Sequence, residues 1–380
     1  MDGADNRRST DKQLPHDQRP FGGRAVGIGR TALGAFVVLL AVVVVLGVQG
    51  GLPHWDFGSG AGTPAAEPRQ SAMDPVAIAA AVEPELTNIT VSIEPGGLAA
   101  AGSGIVLTAD GQVLTSHHVI KGAEVITVGD LGTGVQYSAT VLGYDSAADI
   151  ALLSLTGAGG LPVVRIGDSA TLRPGDQIMA IGNAGGTGRP TATPGTVASL
   201  NTSIVARDAA DLSHKALTGM VEVNAPVESG QSGGAVVDRG GAVVGVVTAA
   251  AGNPSRMGGP AVGYAVPIGT AMTIVRQIRS GTSTDAVHIG PTANLGVLAS
   301  DTSPSGARID VSLYGQPAFA AGLAAGEVIT AVDDHAVSSA QTLESELGLR
   351  KPGDTIRVAL TEPDGSHREV AVVLAAGPPR

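Results

Sequence analysis

The sequence predicts a mainly β protein, with two barrels of similar size followed by a smaller domain and preceded by an apolar segment. Three observations predict it. Short β-branched runs recur between glycine turns, the pattern of sandwiches and barrels. Aromatic residues make up only 2% of the 380 residues, so the core has to be aliphatic and suited to pleated surfaces. The runs also fall into two groups of six of comparable length.

Taken in order, residues 1–30 mix Arg7, Arg8, Lys12, Arg19, Arg24 and Arg30 with aspartates and prolines without periodicity, and read as a disordered tail. Residues 31–53 carry no charge and are apolar on every face, enough for a helix to span roughly 30 Å of hydrocarbon. The run is longer than a signal-peptide core and lacks a nearby A-x-A site, so it reads as an uncleaved transmembrane helix. Basic residues before it and acidic ones after it put the N-terminus in the cytoplasm and the rest outside. Residues 54–72, rich in Gly, Pro and Ala, read as a flexible linker.

The first barrel is expected from "NITVSI", "SGIVLT", "GQVLTS", "EVITVG", "YSATVLGY" and "IALLSL", after a short helix at "DPVAIAAAVEP". The second is expected from "DQIMAIG", "GTVASL", "GMVEVNAP", "GAVVD", "AVVGVVTAA" and "GYAVP". Helical spacing of Ile268, Met272, Ile274, Val275 and Ile278 predicts a helix closing this unit, which spans 73–280. Residues 281–291 read as a polar linker. The stretch 292–376 reads as a separate domain, with a helix at "AQTLESELGL" and a closing strand pair.

A net charge of -11 with few lysines excludes a phosphate-neutralising stripe, and hence a nucleic-acid partner. With no cysteine, disulfides and thiolate zinc sites are excluded too.

Three stretches could carry chemistry. In "VESGQSGGAV", residues 227–236, Ser232 stands among Gly230, Gly233 and Gly234. Such glycines mark either a hairpin or bulge, or a nucleophile whose neighbouring N–H groups must converge on an oxyanion. The pair His117 and His118 in "TSHHVI" could be loop residues or metal ligands, although no further ligands stand at metal spacing, and no metal or cofactor is expected. Asp145 and Asp149 in "YDSAADIALL" could be turn residues. Together, the order His, Asp, Ser fits a base and its orienting acid in the first barrel and a nucleophile in the second, meeting in a cleft.

At this point the chain resembles the HtrA/Deg family of chymotrypsin-like serine proteases. The matching stretches run from about 86 to 280: "GSGIV", "TSHHV", "DSAADIA", "AIGN", "GQSGGA" and "GYAVP". The resemblance implies a chymotrypsin-like double β-barrel, with His118 as base, Asp149 as orienting acid, Ser232 as nucleophile and His117 as a bystander. It puts the oxyanion hole at the N–H groups of Gly230, Gln231 and Ser232. Ser116, Ser146, Gln231 and Ala235 depart from the family pattern without removing a triad member. Pro226, Val227, Val246, Val247 and Thr248 are expected to line a small apolar substrate pocket, favouring cleavage after Val, Ala, Leu or Ile; Glu228, facing inward, would favour basic residues instead.

Residues 292–376 resemble the PDZ domain that follows HtrA proteases. The resemblance implies that a peptide C-terminus adds as a strand, its carboxylate on the loop at Leu295, Gly296 and Val297, with Leu343 and Leu347 as the far wall or as plain core. The family implies an ATP-independent extracytoplasmic endopeptidase for misfolded or regulatory envelope proteins, with unfolded or C-terminally exposed proteins as partners. It also implies a possible homotrimer and mobile loops at "NAGGTGRPTATPG" and "AAGNPSRMGGPA". The competing reading is a peptide-binding chaperone or scaffold with a latent centre.

Overall fold

The computed structural model describes residues 73–93, 98–207, 214–251 and 262–380, together with the strand β1 at Val42–Val44. After a short helix α1 (Pro75–Val82), the strands β2 (Leu86–Ile93), β3 (Leu98–Val106) and β4 (Gln112–Thr115) lead into a single turn, α2 (His117–Ile120). Then come β5 (Val125–Asp130), β6 (Gln136–Asp145) and β7 (Ile150–Leu155). These six strands close on themselves through the β4–β7 and β6–β7 pairings.

The second barrel is built from β8 (Gln177–Gly182), β9 (Thr191–Arg207), β10 (His214–Asn224), β11 (Ala235–Asp238), β12 (Val243–Ala251) and β13 (Gly263–Pro267). It closes through β12–β13. Strand alternation divides the cores. In β7, Ala151, Leu153 and Leu155 fill the first barrel, while Ile150 and Leu152 face a cluster shared with Met179 and Ile181 of β8. Ile178 and Ala180 of β8 point the other way, into the second barrel. The shared cluster glues the barrels face to face, and the helix α3 (Ile268–Arg279) packs across both.

The polar linker expected at 281–291 is more structured than its composition suggests. It contains β14 (Val287–Ile289), which pairs with the end of β6, His288 opposite Tyr144. A strand need not alternate strongly when one partner strand and a helix cover it, which is why no hydrophobic period announced it.

The last domain has β15 (Thr292–Asn294), β16 (Val297–Asp301), β17 (Ala307–Ser312), the turn α4 (Pro317–Ala320), β18 (Val328–Val332), β19 (His335–Ala336), the helix α5 (Ala340–Gly348), β20 (Thr355–Thr361), β21 (His367–Val373) and β22 (Ala375–Gly377). Its sheet runs β16-β17-β18-β20-β21, with β15 and β22 pairing apart.

The tail 1–30, the linker 54–72 and all but three residues of the apolar stretch 31–53 lie outside the described residues. At Val42–Val44 the expectation of a helix is corrected. These valines form β1, parallel to β12 and antiparallel to β9. No helix among the described residues is long and apolar enough to cross a membrane.

Candidate active site

The turn α2 and the approach to β7 bring the acid–base pair together. His118 Nδ1 lies 2.8 Å from Asp149 Oδ2, and the His118 N–H donates to Asp149 Oδ1 at 3.0 Å. The Asp149 carbonyl in turn accepts the His117 N–H at 3.2 Å. Asp149 reaches this position because Asp145 caps the intervening turn, accepting the Ala148 N–H at 2.9 Å, and because its own backbone is left-handed, φ 59°. Burial alone would raise the Asp149 carboxyl. The charge and hydrogen bond of His118, the charge of Lys215 and the hydroxyl of Thr248 outweigh it and hold the group well below the usual carboxylate range.

Ser232 sits half-buried at the start of the second barrel's return. Its Oγ is 3.4 Å from the Thr248 carbonyl oxygen, while the Thr248 hydroxyl donates to Asp149. Thr248 thus ties nucleophile and acid to one residue of β12. The sequence placed Thr248 on the pocket wall; the structure turns its side chain to the carboxylate instead.

The glycines around Ser232 are there for close backbone approach. Gly230 has φ 91°, and a Cβ there would press into the Asn183 carbonyl. At Gly233, φ 81°, it would collide with the Ser103 carbonyl and the Thr115 hydroxyl. At Gly234 it would meet the Ile181 carbonyl. Two further bonds fix the loop to the first barrel: the Ser103 N–H donates to Ser232 O, and Ser103 Oγ to Gly230 O, both at 2.8 Å. Ser103 Oγ also accepts the Asn183 N–H at 2.8 Å. Sequence reasoning used Ser103 only as part of a motif and missed this bridge; a small hydroxyl between two glycines at 102–104 was its one signal.

Among the described residues, no acceptor takes the N–H groups of Gly230 or Ser232, so both are available to an oxyanion. Gln231 is corrected. Its N–H is held by the Glu228 carbonyl at 3.1 Å, and its buried amide clamps Glu228 N–H at 2.8 Å and Thr191 O at 3.1 Å. The residue shapes the loop from inside and donates nothing to the cleft.

The predicted pocket is corrected in the same way. Val246 and Val247 alternate into two packing clusters and are fully buried, and Val227 is buried against Gly263. Of the five predicted wall residues only Pro226 is exposed, and Glu228 is exposed as well. A strand at a cleft edge offers its backbone to an extended peptide, so side-chain identity along it says little about pocket chemistry. The first of the two expected mobile loops, 183–195, is a tight turn running into β9, and the second lies almost wholly outside the described residues.

His117, expected as a bystander, is only 3% exposed, and its Nε2 has no hydrogen-bond partner among the described residues. Burial, against the pull of Asp149, lowers its pKa to about 3, so the ring is neutral. It stacks on Tyr144, centroids 4.6 Å apart. No group of three or more possible metal ligands occurs among the described residues.

In the last domain, Leu295 is buried, and the Gly296 N–H is taken by Asn294 Oδ1 at 3.1 Å. Gly296 has φ 79° and lies tight against Gln316. Leu343 and Leu347 are 3% and 2% exposed and pack with Ile309, Ile329 and Val358, so they are core residues of this domain.

Residues 102–246 match the trypsin-like peptidase domain, and residues 293–374 match the PDZ domain. Among curated relatives, the serine protease PepD of Mycobacterium tuberculosis is 31% identical over 78% of this chain and 65% of its own length. The periplasmic pH-dependent serine endoprotease DegQ of Escherichia coli is 32% identical over 72% of this chain and 59% of its own length. The chain thus spans less than two thirds of either relative. A solved structure, the HtrA-type protease AlgW with tripeptide, aligns with 81% of this chain and 98% of its own at 25% identity, with a TM-score of 0.48. In this chain a trypsin-like peptidase domain thus precedes a PDZ domain.

Proposed function

We propose that this chain is an extracytoplasmic serine endopeptidase acting through an acyl-enzyme. The observation that carries the reading is the His118–Asp149 pair, bonded through both ring and backbone and linked through Thr248 to Ser232, in a loop where two N–H groups have no acceptor among the described residues. In the forward step, His118 Nε2 takes the Ser232 Oγ proton as Oγ attacks the scissile carbonyl. The oxyanion is held by the N–H groups of Gly230 and Ser232, and the proton then passes to the leaving amine. Water enters, gives its proton to the same nitrogen and releases the acid. Asp149 remains ionised throughout, orienting the ring and stabilising the imidazolium.

The test is fluorophosphonate labelling of the full chain beside Ser232→Ala. Labelling of the first and none of the second, with peptide turnover falling by about 10⁵-fold or more in the variant, is the expected result. Equal labelling of both would remove Ser232 as nucleophile. The Ser232 hydroxyl, turned toward Thr248 O, favours one second reading, a peptide-binding scaffold with a latent centre. Turnover that stays absent with and without an added C-terminal peptide would select it.

Misfolded or C-terminally exposed envelope proteins are the proposed substrates, the PDZ domain engaging their ends through the 295–297 loop. The uncharged stretch 31–53 is proposed to anchor the chain when a bilayer is present, tested by whether it stays with membranes after carbonate washing. Val76 of α1, 79% exposed, is apolar surface that a trimer contact ahead of the first barrel would bury. Light scattering of an active monomer would dismiss that assembly.

A further inference from the structure

Between the catalytic pair and the PDZ domain runs a stack of three rings that the acyl-enzyme chemistry does not use. His117 lies on one face of Tyr144, with centroids 4.6 Å apart and planes inclined 29°. His288 of β14 lies 5.0 Å from Tyr144, inclined 26°. Tyr144 is the second-last residue of β6, directly before Asp145, whose carboxylate caps the turn that delivers Asp149. It also pairs with Ala151 on β7, just beyond Asp149. Its hydroxyl is 3.3 Å from the Thr292 hydroxyl, on the first strand of the PDZ domain, and accepts the Arg380 N–H at 3.4 Å.

The stack also explains an otherwise costly feature. His117 Nε2 is buried without a partner among the described residues, and a buried unpaired nitrogen is destabilising. A ring kept inside at that cost has to be held by its packing, and Tyr144 stacks directly on it. Because the His117 N–H is bonded to the Asp149 carbonyl and the next residue is the base, a shift of this ring is a shift of the His118–Asp149 bond.

We propose that Tyr144 is a positioning residue for the catalytic pair. Sandwiched between His117 and His288, it holds the 117–118 turn in register with Asp149, and it makes that register depend on the seating of residues 287–292, the segment that leads into the PDZ domain. This rests on the proposed serine-protease reading.

The experiment compares Tyr144→Leu, Tyr144→Phe, His288→Leu and His288→Phe with the unaltered full chain. Rates are expressed per fluorophosphonate-titrated site, so that misfolded molecules drop out. Tyr144→Leu is expected to lower kcat for a short peptide by about ten-fold or more with KM within two-fold, because geometry and not binding is lost. Tyr144→Phe, which keeps the stack, should recover to within about three-fold. His288→Leu should fall between them, and His288→Phe should recover most of the loss. The downfield proton resonance of the His118 Nδ1–H, held by a carboxylate, should broaden or shift in Tyr144→Leu and not in Tyr144→Phe. Lys121 and Lys215, the other charges acting on His117, are common to all variants.

Equal kcat per site in Tyr144→Leu and the unaltered chain would overturn the inference while leaving the protease reading intact. So would equal losses in the Phe and Leu variants, which would assign the effect to the hydroxyl. If Tyr144→Leu does not fold, the His288 pair decides: equal kcat per site in His288→Leu and the unaltered chain refutes the inference. No labelling of the unaltered chain would remove the protease reading, and the inference with it.

Discussion

The two recognition regions of this molecule stand in opposite states. In the cleft between the barrels, the His118–Asp149 pair is bonded and the N–H groups of Gly230 and Ser232 have no acceptor among the described residues. In the PDZ loop, the Gly296 N–H is already bonded to Asn294, and Leu343 and Leu347 are folded into the core. The cleft is prebuilt by backbone packed on backbone. In the last domain one loop donor and two helix leucines are engaged internally, so a peptide that used them would have to displace those contacts. Reactive geometry and recognition geometry are thus held by different means.

The largest test of that contrast is Gly230→Ala. A left-handed backbone and a Cβ driven into Asn183 O should move the loop and misplace one oxyanion donor, so fluorophosphonate labelling is expected to slow by about 100-fold or more with secondary structure intact. Normal labelling would mean that the cleft is not prebuilt by close approach. Next in size is Leu343→Ala. As a core residue it should cost about 2–5 kcal/mol of PDZ stability, read from thermal unfolding. A variant that melts normally but loses peptide affinity would show an open groove wall, and the contrast would fail.

The smallest effect sharpens the contrast within the cleft. His117 has a pKa near 3 in the fold and about 6.5 when unfolded, so between those values the unfolded chain binds a proton that the folded one refuses. Stability is therefore lost as pH falls below about 6.5, by up to about 1.4 kcal/mol per pH unit. Asp149, lowered in the fold, contributes stability above its unfolded value near 4 and loses it only below that. From pH 6.5 to 5 the His117 slope acts without it. His117→Phe, which keeps the stack on Tyr144, should lose about 2 kcal/mol less over that interval in urea titrations. An unchanged slope would mean that the ring is protonated inside the fold.

Much of this was legible in the sequence. Barrel strands betrayed themselves by β-branched runs, and α3 and α5 by their spacing. Chemical order suggested a histidine, an aspartate and Ser232 meeting in one cleft, and the family resemblance then singled out His118 over His117 and Asp149 over Asp145. What stayed hidden depends on where side chains point. Val246, Val247 and Thr248 look alike as a wall until alternation sends two into cores and one to a carboxylate. Gln231 reads as an oxyanion donor until its own turn consumes its N–H. His117 and Tyr144 lie 27 positions apart, and no local pattern announces a stacked pair. β14 stayed hidden for want of period, its partner strand lying far upstream, with Tyr144 opposite His288.

The Ser103 bridge has a consequence for how this protein comes into being. Ser232 and Gly230 take their fixed places partly from hydrogen bonds to a strand of the other barrel, roughly 130 residues upstream. During synthesis the first barrel can form while the second is still emerging. The nucleophile cannot be seated until the two have docked. Assembly thus serves as a safety catch: a nascent chain carries the residues of the proposed site before the site itself exists.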